Sequence, residues 1–145
     1  MKNLKCMVVS GKSNVGKTSA LKELIRIFES KYEKMLFESY GKRMTNDVMA
    51  AFLINGYKVG IITQGDAAWC VNKGLNKIGD CDFIFGASHL FGSTVDEYFK
   101  HFETNEILFM NKLPSKDASL IEDDNKNYAS MLEELVTLLL SSKRA

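Results

Sequence analysis

The chain has 145 residues, 46% hydrophobic and 26% charged, with a formal net charge of +1. That length suits one core, expected as a single domain over residues 1–145, and the near-neutral balance excludes a nucleic-acid or membrane surface held by bulk charge. No apolar run reaches the ~20 residues that span a bilayer, and the chain enters a strand-like segment at once, leaving no room for a secretory leader, so a cytoplasmic protein is expected.

Leu4–Ser10 (LKCMVVS) reads as a short apolar strand, and from Thr18 to about Lys31 apolar residues recur at helical spacing through Leu21, Leu24, Ile25 and Phe28. Met35–Glu38 is a short extended piece and Gly41–Asn46 a polar loop. Asp47–Ile54 and Tyr57–Thr63 flank Asn55-Gly56, the dipeptide that a type I′ turn favours because both positions need positive φ, so an antiparallel hairpin is expected. Ala67–Ile78 then reads as a helix, Cys81–Ala87 as a buried strand, Thr94–Phe102 as a helix capped by Ser93 or Thr94, and Glu106–Asn111 as a strand. Ser115–Lys126 is polar and reads as irregular, and Tyr128–Leu140 as an amphipathic closing helix. Strands alternating with helices imply a three-layer, doubly wound α/β fold whose mainly parallel sheet carries one antiparallel hairpin strand. Cys6, Cys70 and Cys81 lack metal-ligand spacing and a paired histidine, so they read as reduced thiols.

Between the first strand and the first helix stands Gly11-Lys12-Ser13-Asn14-Val15-Gly16-Lys17-Thr18, a full G-x-x-x-x-G-K-[ST] match. Glycines let such a loop curl so that successive backbone N–H groups converge on phosphate oxygens, and the helix that follows adds its positive N-terminal dipole. Lys17 is then the cation for the outer phosphates and Thr18 the hydroxyl for Mg²⁺.

The two-residue turn also fixes a register in which opposed residues sum to 111, pairing Ile54 with Tyr57 and Thr45 with Asp66. If the second hairpin strand runs parallel to the first strand of the chain, Asp66 emerges at the same sheet edge as Lys17 and Thr18. Asp66 is therefore a candidate magnesium ligand, direct or through water, and equally a candidate cap for the helix after it. The Gly41–Asn46 loop would bring Arg43 near phosphate charge and Thr45 near the metal. Ser88, His89, Ser93 and Thr94 form a second polar loop at that edge, with His89 a candidate base for a phosphoryl acceptor or simply a loop residue. Trp69 reads as core rather than as a stacking platform.

On these residues the chain resembles the P-loop NTPases, specifically over Leu4–Lys31 and by element order beyond. One branch is similar to small nucleotide-kinase-like ATP-binding proteins; the other resembles small GTPases, whose order of loop, helix, threonine-bearing switch, hairpin and aspartate is matched by Thr45, the hairpin and Asp66. Two departures favour ATP over GTP: Asp66-Ala67-Ala68-Trp69 lacks the glycine of Asp-x-x-Gly, and Asn111-Lys112-Leu113-Pro114 has proline where a guanine-reading acid belongs. The resemblance implies an enzyme that passes the γ-phosphoryl group of Mg–ATP to water or a small acceptor, using Lys17, Asp66 and Arg43. Its alternative is a nucleotide-dependent switch read by a partner protein. With little lid material in a chain this size, a second subunit completing the site fits either.

Overall fold

Strand β1 (Cys6–Ser10) leads through helix α1 (Lys17–Lys31) to β2 (Glu33–Ser39), followed by β3 (Val48–Ile54) and β4 (Tyr57–Ile62). Helix α2 (Ala68–Lys77), β5 (Phe83–Ser88), α3 (Ser93–His101), β6 (Ile107–Asn111) and α4 (Ile121–Arg144) complete the chain. This computed structural model describes residues 3–12, 15–39 and 47–144. Arg43, Thr45 and the rest of Gly41–Asn46, together with Ser13 and Asn14, lie outside the described residues.

The strands form one sheet in the order β2-β3-β4-β5-β1-β6. The pairs β4–β5, β5–β1 and β1–β6 are parallel, whereas β3 is antiparallel to both β2 and β4, so β3 is the one reversed strand. The hairpin register is the one the turn dictates, from Ile54 opposite Tyr57 to Met49 opposite Ile62. Asn55 (φ 52°) and Gly56 (φ 85°) both occupy the left-handed region that a type I′ turn demands.

Alternation along β1 divides the core. Met7 and Val9 pack with Leu21, Leu24 and Phe28 of α1 and Leu132 and Val136 of α4; Cys6 and Val8 pack with Cys70, Val71 and Leu75 of α2 and Tyr98 of α3. Helices therefore cover both faces, α1 and α4 on one and α2 and α3 on the other. β1 and β5 are buried throughout, as strands covered on both sides must be. No helix among the described residues is long and apolar enough to cross a membrane.

Four expectations are corrected. Helix α4 begins at Ile121, inside the segment that reads as irregular, because Glu122, Asp123 and Asp124 in its first turn complement the helix dipole without any apolar periodicity to mark it. The residue ahead of α3 is Gly92 (φ 98°), so neither Ser93 nor Thr94 caps that helix; Thr94 Oγ1 instead accepts from the His89 N–H at 3.1 Å. Trp69 is 53% exposed, on the outer side of the first turn of α2. Cys81 precedes β5 rather than lying in it, half-buried beside Ile78, and burial pushes its thiol up to about 12, which suits an inert side chain.

Candidate functional site

The chain leaves β1 through α1 on one face, toward β2 at one edge of the sheet. It leaves β5 through α3 on the other face, toward β6 at the opposite edge. Adjacent parallel strands whose connections diverge in this way open a crevice at their carboxyl ends, where open α/β sheets bind ligands. The ends of β1 and β5 are tied there by the Gly11 N–H donating to the Ser88 carbonyl at 3.2 Å.

Lys17 sits in that crevice. Its Nζ donates to the Gly11 carbonyl at 2.8 Å and to the Ser88 carbonyl at 2.9 Å, and lies 4.0 Å from Asp66 Oδ1. The side chain is only 6% exposed, and burial lowers its pKa from the ordinary 10.5, with the Asp66 carboxylate acting in the opposite direction. An ammonium held at the mouth of two strands by neutral carbonyls retains most of its charge for an anion. Gly16, at φ 95°, turns the chain into α1. On the other side of the loop, Lys112 Nζ donates to the Val15 carbonyl at 2.8 Å and lies 5.6 Å from the Tyr128 ring centroid, while burial lowers its pKa as well.

A cavity of about 420 Å³ opens over Lys17. Gly16, Lys17, Thr18 and Ser19 form its floor, Thr63, Gly65 and Asp66 one wall, and Pro114, Ser115, Ile121 and Asn125 the other. Lys17, Thr18 and Asp66, spread along the sequence, are thus brought to one place. Asp66 is not the cap of α2: Ala67 holds that position without a side-chain bond, and the Asp66 side chain, 60% exposed, points at Lys17 and at His89 Nε2, 3.7 Å away. His89 Nε2 also lies 3.3 Å from the Asp66 carbonyl, so the Ser88–Thr94 loop does reach this edge.

Thr63, Asp47, Gln64, Lys112 and Asn125 contribute to the site without having been expected there. Thr18 Oγ1 donates to the Thr63 carbonyl at 3.2 Å; Thr63 Oγ1 donates to Asp47 Oδ1 at 2.9 Å; Gln64 Nε2 donates to Asp47 Oδ2 at 2.7 Å; and the Asp66 N–H donates to Gln64 Oε1 at 2.7 Å. Buried Asp47 therefore links the Thr18 hydroxyl to the backbone that carries Asp66. The hairpin register contained the signal, since 47 and 64 also sum to 111. Lys112 and Asn125 gave no signal, because their places depend on β6 lying beside β1 and on where α4 starts.

Among the groups lining the cavity are the Thr18 hydroxyl, the Asp66 carboxylate and the Lys17 ammonium. Hard oxygen ligands in this number suit Mg²⁺, which keeps waters and phosphate oxygens for its remaining positions. Among the described residues no cluster of three or more His, Cys, Asp or Glu forms a cage for a metal bound by protein alone.

Gly16 has a further constraint. A Cβ on it would stand 2.8 Å from Asn125 Oδ1 and 3.3 Å from Lys112 Nζ. Gly16→Ala is expected to cost about 1–3 kcal/mol through left-handed strain and this contact, read as a lowered unfolding midpoint. Adding Asn125→Ala should return part of that loss; no recovery would show that backbone strain alone is responsible.

Comparison with protein-family models, with curated proteins and with solved structures gives no match for this chain.

Proposed function

We propose that the crevice binds a nucleoside triphosphate with magnesium, ATP in preference to GTP, and that the protein passes the γ-phosphoryl group to water or to a small acceptor. The observation that carries this reading is the Lys17 ammonium held between the Gly11 and Ser88 carbonyls, under the start of α1 and at the floor of the cavity. A polyanion set there meets the Lys17 charge, the N-terminal dipole of α1 and the loop N–H groups together. The full G-x-x-x-x-G-K-[ST] match supports a P-loop NTPase-type fold on the same grounds.

Thr18 and Asp66 would hold the metal, whose chemistry is to offset charge on the outer phosphate oxygens. Lys17 stabilises charge that develops as the γ-phosphoryl group moves, and His89, 3.7 Å from Asp66, is the candidate base for an acceptor. Arg43 is proposed as a transition-state cation on the sequence reading alone.

A second reading, a nucleotide-dependent switch with slow turnover, is favoured by the hydrogen-bonded path from Thr18 through Thr63 to Asp47. Asp47 follows Asn46 directly in sequence, so this path runs from Thr18 to the residue next to the Gly41–Asn46 segment, which a switch would use.

Calorimetry with ATP, GTP and their diphosphates, with and without Mg²⁺, tests the binding claim. ATP is expected to bind with micromolar affinity and to need Mg²⁺ for full strength; heat-silent titrations with all four would sink it. Analysis of products then separates the readings. A phosphorylated acceptor or rapid phosphate release supports the enzyme, and slow release accelerated by a partner protein supports the switch.

A further inference from the structure

We infer that His89 supplies a nitrogen ligand to the metal site at Asp66, so that the ion preferred with the nucleotide is Mn²⁺ or Co²⁺ over Mg²⁺; this rests on the nucleotide-binding reading above. Three donor atoms from two residues converge there. His89 Nε2 lies 3.3 Å from the Asp66 carbonyl oxygen and 3.7 Å from Asp66 Oδ1. Two donors that share one ion, each about 2.1 Å from it, stand about 3.0 Å apart at a right angle and about 3.6 Å apart at a trigonal one. Both separations lie close to that range, so one ion is met with little movement of either residue.

Sheet order puts this pair beside the loop. β5 runs between β4 and β1, so His89, just past the end of β5, stands between Asp66, past the end of β4, and the Gly11–Thr18 loop. The Ser88 carbonyl takes the Lys17 ammonium, and Asp66 Oδ1 is 4.0 Å from the same ammonium. Both donor residues are pinned through their backbones. The His89 N–H donates to Thr94 Oγ1 at 3.1 Å, Ser88 Oγ donates to the His89 carbonyl at 2.7 Å, and the Asp66 N–H donates to Gln64 Oε1 at 2.7 Å. The His89 and Asp66 side chains are both partly exposed, which leaves water and nucleotide oxygens an approach to the remaining ligand positions.

The imidazole sets the choice of ion. Mg²⁺ holds oxygens and keeps its waters, whereas a neutral imidazole nitrogen suits the transition ions, whose affinity for such a ligand rises from Mn²⁺ to Co²⁺. Before an ion binds, Nε2–H can donate to the Asp66 carbonyl; the ion then takes the place of that proton, as at any histidine ligand. Two side chains and one carbonyl are too few to hold an ion alone, and among the described residues no third His, Cys, Asp or Glu joins them. The polyphosphate must complete the set, so ion and nucleotide bind together. An imidazole bound in this way cannot also take a proton from an acceptor, and the two roles open to His89 exclude each other.

The test is the affinity for ATP at saturating Mn²⁺ or Co²⁺ divided by that at saturating Mg²⁺, read by calorimetry in the parent protein and in His89→Gln. Comparing the two proteins cancels the preferences that the ions have for ATP in water. The parent ratio should exceed the variant's by about tenfold or more with Mn²⁺, and by more still with Co²⁺. Pulsed electron paramagnetic resonance of the parent with Mn²⁺ and ATP gives a reading that needs no variant, should His89→Gln fail to fold. The Mn²⁺ signal should carry a nitrogen coupling that changes when histidine alone is labelled with the heavy nitrogen isotope. His101, the other histidine, is replaced without loss of that coupling in His101→Gln. Equal ratios in the two folded proteins, or no histidine coupling in the parent, overturn the inference and leave the triphosphate reading standing with His89 free to act as a base. A coupling that vanishes in His101→Gln instead also overturns it. A parent protein that binds ATP with none of the three ions removes the nucleotide reading itself, and this inference with it.

Discussion

Lys17→Ala is expected to weaken Mg–ATP binding about a hundredfold while moving the unfolding midpoint by no more than a few degrees, because a hydrogen bond from a charged donor contributes about 1.5–3 kcal/mol. The small effect on the fold follows from the partners. Lys17 Nζ bonds two carbonyls beside a water-accessible cavity, and Ser88 O keeps the Gly11 N–H when the ammonium is gone. The pH dependence adds a signature. Burial lowers the pKa of Lys17 in the fold, so between that value and the ordinary 10.5 the unfolded chain binds more protons than the folded one. Within that window the residue's contribution to stability rises with pH. Affinity for a polyanion moves the other way, since binding needs the ammonium and weakens as pH climbs through the lowered value. Lys17→Ala should remove most of this alkaline loss of affinity, leaving only the part owed to Lys112, whose pKa is lowered by the same cause. An unchanged Kd and an unchanged alkaline limb would contradict the role given to Lys17.

The parts of this site that could be read from sequence are those set by local chemistry. The Gly11–Thr18 spacing, the Leu21–Phe28 periodicity and the Asn55-Gly56 turn each act within a few residues, and the structure has β1, α1 and the hairpin within a residue or two of where they were expected. The meeting of Asp66 with Lys17 needed only the register and a parallel β4, although β5 intervenes between β4 and β1. What escaped depends on tertiary choices. Lys112 reaches Val15 because β6 pairs with β1 and ends beside the loop, a neighbour relation that no local pattern encodes. Asn125 faces the cavity because α4 starts at Ile121, where charge complementarity to the helix dipole replaces apolar periodicity. Trp69 is exposed because helical position alone does not say which face the sheet will cover.

Asp47→Ala is expected to destabilise the fold by about 2–4 kcal/mol, a fall of roughly 8–15 °C in the unfolding midpoint, by leaving two buried donors without an acceptor. Those donors are Thr63 Oγ1 and Gln64 Nε2, and Thr63 Oγ1 in turn accepts from the Val48 N–H at 3.0 Å, so the loss falls on the point where β3 and β4 meet. Asp47→Asn separates the two duties of the carboxylate. Its oxygen can still take the Thr63 hydroxyl, but its amide nitrogen would face Gln64 Nε2, donor against donor. Gln64 relieves this by turning its own amide, and its Oε1 then leaves the Asp66 N–H. The asparagine variant should therefore lose less stability than the alanine variant yet bind Mg–ATP with a weaker dependence on Mg²⁺, because the backbone carrying Asp66 has lost its tether. Thermal unfolding and a magnesium titration at fixed ATP read the two effects apart. If Asp47→Asn were to keep the parent magnesium dependence, Asp47 would act only as a clasp between two strands, and the path from Thr18 to the base of the Gly41–Asn46 segment would carry no signal for a partner to read.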